Sequence, residues 1–215
     1  MGVGDVFGMI VAGAAMVDRI TDGPEKRRAK SRVKQLEQEA VELQAARGPV
    51  VQSLRDFFAG DCPIIIDSNV WMEKSSEDVL NFFFDSVVRP SGKRMVMTGE
   101  QFAEIEKRKI QARADDKDPE ATRARARQAL RMIERQASKS YLKVGELLVQ
   151  SAVRDFDSYA LNSLIGPVLE RGGKVILWTN DLPFRTRVYS KFSGKLASQI
   201  LVLETAKLKE QLRLA

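Results

Sequence analysis

This chain of 215 residues contains no histidine. That absence removes His-based general acid–base chemistry, Ser-His triads and His-ligated zinc from consideration. Cysteine is nearly absent as well. Cys62 stands alone, which excludes an intrachain disulfide and a cysteine zinc cluster and makes a reducing, cytoplasmic compartment the expected one. Long apolar runs are also missing: the longest, Val6 to Val17, falls short of the ~20 residues that a spanning helix needs. Asp5 precedes it where a secretory signal would carry basic residues, and Val6 stands where a myristoylation signal places Ser or Thr. The run reads as a small-residue helix that docks on the domain, on a partner or on another copy of the chain, with a weak membrane contact as the alternative.

The chain does have apolar material for a core, at 44% of its residues, and a high charged fraction of 30%. Its formal charge is +6 with a pI near 9.5, which favours a polyanionic partner. The length fits one α/β domain plus an extension. Asp22-Gly23-Pro24 is a turn that opens a helix, and from Glu25 to Arg47 the sequence is almost wholly helix-forming. Val33, Leu36, Ala40 and Leu43 form a narrow apolar seam on it, either packed along its own domain or joining two copies. Gly48-Pro49 is expected to end this helix, and Val50 to Ala59 to form a second, short one.

From Cys62 onward strands and helices alternate, as a doubly wound sheet requires. Ile64-Ile65-Ile66, Met95 to Thr98, Lys174 to Trp178 and Gln199 to Leu203 read as strands. Helices are expected over Glu77–Val88, where Phe82-Phe83-Phe84 belongs to the core, from near Glu100, over Pro119–Ser138 and over Leu147–Ile165. The first and third strands each hand over to a polar turn holding an aspartate, Asp67-Ser68-Asn69 and Thr179-Asn180-Asp181. Strands of a parallel sheet present functional groups at their carboxyl ends. Each aspartate taken alone also fits a helix cap or an Asx-turn.

Asp67, Glu104, Asp157 and Asp181 thus occur in order, each tied to a strand end or to a helix facing the same edge. The segments that carry them are Ile64 to Asn69, Thr98 through Glu104-Ile105, Asp157 through Leu161, and Val175 through Asp181. Together these resemble the PIN-domain nuclease family over roughly residues 60–205. Asp155 competes with Asp157 for the third position; Asp157 is preferred because Ala160, Leu161, Leu164 and Ile165 follow it at helical core spacing. The resemblance implies a PIN-like three-layer α/β/α domain with a central, mostly parallel sheet, preceded by a helical amino-terminal extension. The organisation expected is an apolar segment 1–23, a helical arm 24–59, the domain 60–205 and a helical tail 206–215.

Clustered carboxylates raise one another's pKa unless a cation neutralises them, and oxygen ligands without histidine suit Mg²⁺ or Mn²⁺. Asp67 and Asp181 are expected as the principal metal ligands, with Glu104 and Asp157 as further ligands directly or through water. Ser68, Asn69, Thr179 and Asn180 would orient carboxylates or the scissile phosphate. The resemblance implies an endoribonuclease, with RNA rather than DNA as substrate, and admits a toxin of a toxin–antitoxin pair. Against that identity stands the helical extension of residues 1–59. The competing reading is a non-catalytic PIN-like module that binds RNA or protein, with residues 1–47 as an oligomerising or partner-binding arm.

Between Lys107 and Lys139 the excess of basic over acidic residues is comparable to the whole chain's +6. Arg123-Ala124-Arg125-Ala126-Arg127 spreads guanidinium groups around a helix, where they grip phosphates without reading sequence or simply face solvent. Arg123, Arg127, Arg185 and Arg187 are the candidate strand contacts. Phe184 or Tyr189 is expected either to stack on a base or to join the core.

Overall fold

The computed structural model describes residues 24–58, 62–111, 117–145 and 156–214. The apolar run Val6–Val17, Arg113, Asp155 and the expected helix up to that aspartate lie outside the described residues. The chain divides into two compact units, one formed by residues up to Ser53 with Lys209–Ala215, the other by Leu54–Leu208.

Helix α1 (Pro24–Phe58), whose residues up to Ser53 belong to the first unit, continues through Pro49, contrary to the stop expected at Gly48-Pro49. Proline removes one N–H, so the carbonyl of Ala45 loses its helical partner. Ala45 and Pro49 are both exposed, and water can take the bond that the helix gives up. Val33, Leu36, Ala40 and Leu43 are half-buried while the residues between them are exposed, as their spacing predicts. Arg47 is buried and donates from Nε to the carbonyl of Leu212 at 2.5 Å and from Nη2 to that of Arg213 at 3.1 Å. Its guanidinium thereby caps carbonyls just past the last helix, which a helix alone leaves without donors. Burial lowers the Arg47 pKa.

The second unit is α/β. Its strands are β1 (Ile64–Ile66), β2 (Met95–Met97), β3 (Leu142–Val144), β4 (Val175–Trp178) and β5 (Ile200–Leu203). All their pairings are parallel: β1 with β4, β4 with β5, and β2 with β3. β2 lies beside β1 without a ladder between them, so the strands run β3-β2-β1-β4-β5 across two sheets. β1 and β4 are buried at every residue, which is why they are written in branched apolar residues and tryptophan. β3 was not expected from the sequence. It is a three-residue strand whose Lys143 is exposed, too short to show a period.

The helices follow their local signals. α2 (Ser68–Met72) leaves the end of β1, and a 3₁₀ turn (Lys74–Ser76) joins it to α3 (Glu77–Phe83). A π-helical turn (Phe84–Val88) then carries the chain into α4 (Arg89–Ser91), which ends on Gly92 at φ +66°. That left-handed conformation suits glycine. Phe82, Phe83 and Phe84 are all buried, and Phe83 meets Trp178 edge-on at 5.6 Å between ring centroids. α5 (Gly99–Ile110) and α6 (Pro119–Ser138) follow, the latter capped by Asp118 Oδ1 on the Ala121 amide at 3.0 Å and opened by Pro119. α7 (Phe156–Tyr159) passes through a second π-helical turn (Ala160–Ile165) into α8 (Gly166–Glu170). α9 (Leu182–Lys191) and α10 (Thr205–Gln211) complete the order. A core of Ile65, Leu161, Ile165, Leu169, Val175, Leu177, Phe184 and Val188 packs these later helices on one face of the sheet.

Among the described residues no helix is long and apolar enough to cross a membrane.

Candidate metal and nucleic-acid site

The strand order reverses direction at β1: the chain moves outward through β2 and β3, then returns to add β4 and β5 on the other side. Open parallel sheets hold ligands beyond the carboxyl ends of the strands at such a switch. Asp67 follows β1 there and Thr179-Asn180-Asp181 follows β4, in register because Ile66 pairs with Trp178.

Asp67 is 4% exposed and carries three hydrogen bonds. Its Oδ1 accepts from the Asn69 amide and from Ser68 Oγ, each at 3.3 Å, and its Oδ2 accepts from Thr179 Oγ1 at 2.7 Å. The wholly buried Thr179 also accepts from the Asp181 amide at 3.1 Å. One hydroxyl therefore ties the aspartates of neighbouring strands into a single unit. Asp181 Oδ1 accepts from the Phe184 amide at 2.9 Å and caps α9. Both aspartates are thus helix caps and strand-end acids at once. Burial pushes the Asp67 pKa up; the Thr179 and Asn69 hydrogen bonds pull it down, and the charges of Glu104 and Asp181 push it up again. Glu104 and Asp181 are accordingly near enough to Asp67 to act on it.

Glu104 sits in the second turn of α5 and accepts from Arg108 Nη2 at 3.0 Å. The start of α5 is fixed by a reciprocal cap: Thr98 Oγ1 accepts from the Gln101 amide and Gln101 Oε1 from the Thr98 amide, both at 3.3 Å. Gln101, 2% exposed, also donates from Nε2 to the Ile66 carbonyl at 2.7 Å, which fastens α5 to the end of β1 one residue before Asp67. Gln101 and the buried Glu100 were not singled out in the sequence. The Thr98-to-Gln101 spacing is the capping-box signature that points to the first.

Asp157 opens α7, and its Oδ2 is paired with Arg187 of α9. The charges that raise the Asp67 pKa are those of Glu104 and Asp181. Several expected strand contacts are engaged elsewhere. Arg185 is paired with Glu204 and largely buried. Asn180 donates to Glu73 and accepts from the Thr205 amide at 2.9 Å, holding the loop after β5 rather than a ligand. Arg123 and Arg127 both reach Glu120, at 3.3 and 2.9 Å, and these bonds lower the Glu120 pKa. Phe184 is fully buried and belongs to the core, whereas Tyr189 is 60% exposed.

The donor set is the one that a hard divalent cation prefers, all oxygen. Among the described residues, however, no three carboxylates stand preassembled at metal-binding spacing. Asp67 and Asp181 are linked through Thr179, and the charge of Glu104 acts on Asp67. No family model matches this chain, and no curated protein or solved structure matches it either.

Proposed function

We propose that this protein is a divalent-metal-dependent nuclease, an endoribonuclease with a PIN-like α/β/α domain over residues 60–205. The observation that carries the reading is the Thr179 hydroxyl joining the Asp67 carboxylate to the Asp181 backbone across β1 and β4 at the switch point, with Glu104 close enough to act on Asp67. Burial and the charges of Glu104 and Asp181 raise the cost of ionising Asp67. A bound cation removes that cost. Asp67, Asp181 and Glu104 would hold Mg²⁺ or Mn²⁺, with Asp157 joining only on release from Arg187. When bound, the ion would lower the pKa of a water and stabilise the charge that develops on the phosphate. Thr179 keeps Asp67 aimed, Ser68 and Asn69 hold its second oxygen, and Arg108 positions Glu104. The preference for RNA and the cytoplasmic setting rest on the PIN resemblance and the lone cysteine. One observation favours a second reading, a module that binds nucleic acid without cutting it: Glu104 and Asp157 are already engaged by arginines.

Cleavage of labelled single-stranded and structured RNAs by the wild type and by Asp67→Asn, in Mn²⁺, Mg²⁺ or EDTA, separates the two. Metal-dependent cutting that disappears in the variant is the expected result. Salt-sensitive binding with no cutting under any condition would overturn the nuclease reading in favour of the binding module.

A further inference from the structure

Beside the carboxylates lies a cleft of about 440 Å³, lined among others by Asn69, Glu73, Lys74, Arg108, Thr122 and Arg125. Its size is within the range of small-ligand sites. Two residues join it to the acids: Asn69 stands two positions after Asp67 and gives it a backbone hydrogen bond, and Arg108 stands one helical turn after Glu104 and gives it an ion pair. Three cations line the cleft against one acid. That acid, Glu73, accepts hydrogen bonds from Ser75 and Asn180. Arg108 is only 7% exposed, and its Nε is buried without a hydrogen-bond partner. A buried guanidinium N–H without an acceptor is unfavourable. Lys74 and Arg125 are exposed and form no ion pair with any described residue. They differ in this from Arg123 and Arg127 on the same helix as Arg125, whose charges meet Glu120.

We infer that this cleft binds a phosphate group, held by Lys74, Arg108 and Arg125 with Asn69 and Thr122 as neutral partners. An anion with several acceptor oxygens matches what the cleft lacks, and arginine is suited to it by its fork of donors. Assigning the phosphate to the strand being cut rests on the nuclease reading; the presence of a phosphate site does not. Seated there, a strand would pass from the cleft across Asn69 to the Asp67 edge, and the cleft would set where along the strand the cut falls.

The test is equilibrium binding of a 3′-fluorescein octauridylate to the full chain in EDTA, with its 5′ end either phosphorylated or hydroxyl, and with inorganic phosphate as competitor. The variants are Lys74→Ala/Arg125→Ala and, for comparison, Arg123→Ala/Arg127→Ala. Lys74, Arg125 and Arg127 are exposed and Arg123 is half-buried, and a circular-dichroism melt checks that both double variants fold. The cleft pair is expected to weaken binding about tenfold or more, since hydrogen bonds to charged groups contribute ~1.5–3 kcal/mol. It should also reduce the salt slope by about 0.7 per lost phosphate contact. The comparison pair should weaken binding less than about threefold. Preference for the phosphorylated end, with displacement by inorganic phosphate, assigns the site to a terminal phosphate; equal binding of both ends assigns it to an internal one. An equal loss in the two double variants, or no loss in the cleft pair, overturns the site. Binding that depends on the cleft in a protein that never cuts would sink the nuclease reading alone. Cutting that depends on Asp67 with binding indifferent to the cleft pair would sink the cleft alone.

Discussion

Two groups of charged residues in the same α/β unit are built on opposite rules. At the ends of β1 and β4, Asp67 and Asp181 are like charges fixed by a single buried hydroxyl, and the charge of Glu104 on α5 acts on the first. Around α9, opposite charges are matched instead: Arg187 with Asp157 and Arg185 with Glu204. The second group can be explained by stability. In the first, burial and neighbouring charge oppose ionisation of Asp67, while its bonds to Thr179 and Asn69 favour it. A fold that places repelling acids at its switch point while pairing charges a few residues away has put its unfavourable electrostatics in one place.

The largest expected effect is on that first group. Asp67→Asn should lower metal-dependent cleavage by more than about a hundredfold, beyond the range usual for residues that only orient a ligand; single-turnover rates in Mn²⁺ measure it. Thr179→Val keeps the shape but removes the hydroxyl, and should lower metal affinity or rate by about 10–100-fold. A split in which Thr179→Val melts earlier but cuts normally would reduce the hydroxyl to a packing role and break the contrast. Arg187→Ala sharpens the comparison from the other side. If Asp157 is withheld from the ion by its pairing, cleavage should rise or the Mn²⁺ requirement fall by a few-fold, while stability changes by less than ~1 kcal/mol, as for partly exposed ion pairs.

The smallest effect is in stability, and its sign is fixed by linkage. Asp67 has a pKa raised above the ordinary carboxylate value, so the folded state holds its proton more tightly than the unfolded state does. Its contribution is therefore most favourable at pH below the ordinary value and is lost as pH rises through the raised one. In EDTA at neutral pH, Asp67→Asn should consequently raise Tm, with about 2–4 °C expected for each ~1 kcal/mol. Calorimetry from acid to neutral pH should show the two proteins converging as pH falls. A variant that melts below the wild type at neutral pH would mean that the hydrogen bonds from Thr179, Ser68 and Asn69 outweigh burial.

Much of this arrangement is local enough to be read from the chain. Ile64–Ile66 and Val175–Trp178 are short buried runs that end on a polar turn, so the positions of Asp67 and Asp181 follow from pattern alone. Pro119 after Asp118 likewise fixes the start of α6 to the residue. What could not be read depends on contacts made by distant residues. The partners of Arg185, Arg187 and Asn180 lie 19, 30 and 107 positions away, so nothing in the neighbouring sequence shows that these side chains are occupied. Arg108 and Arg125 appear as two more charges on basic helices until the cleft is seen between their elements. The helix continues through Pro49 where Ala45, whose carbonyl loses its partner, is an exposed residue.

Gln101 gives the interrupted sheet a further property. No backbone ladder joins β2 to β1, and the Ile66 carbonyl at that seam is taken by the Gln101 amide. A rung that would ordinarily belong to the main chain has been delegated to a replaceable side chain. Hydrogen exchange should therefore resolve two protection classes, the β2–β3 pair with α5 and the β1–β4–β5 sheet. Glutamine at this position sets how independently the half that carries Glu104 can loosen from the half that carries Asp67, and Gln101→Leu converts that coupling into a measurable difference in exchange rates.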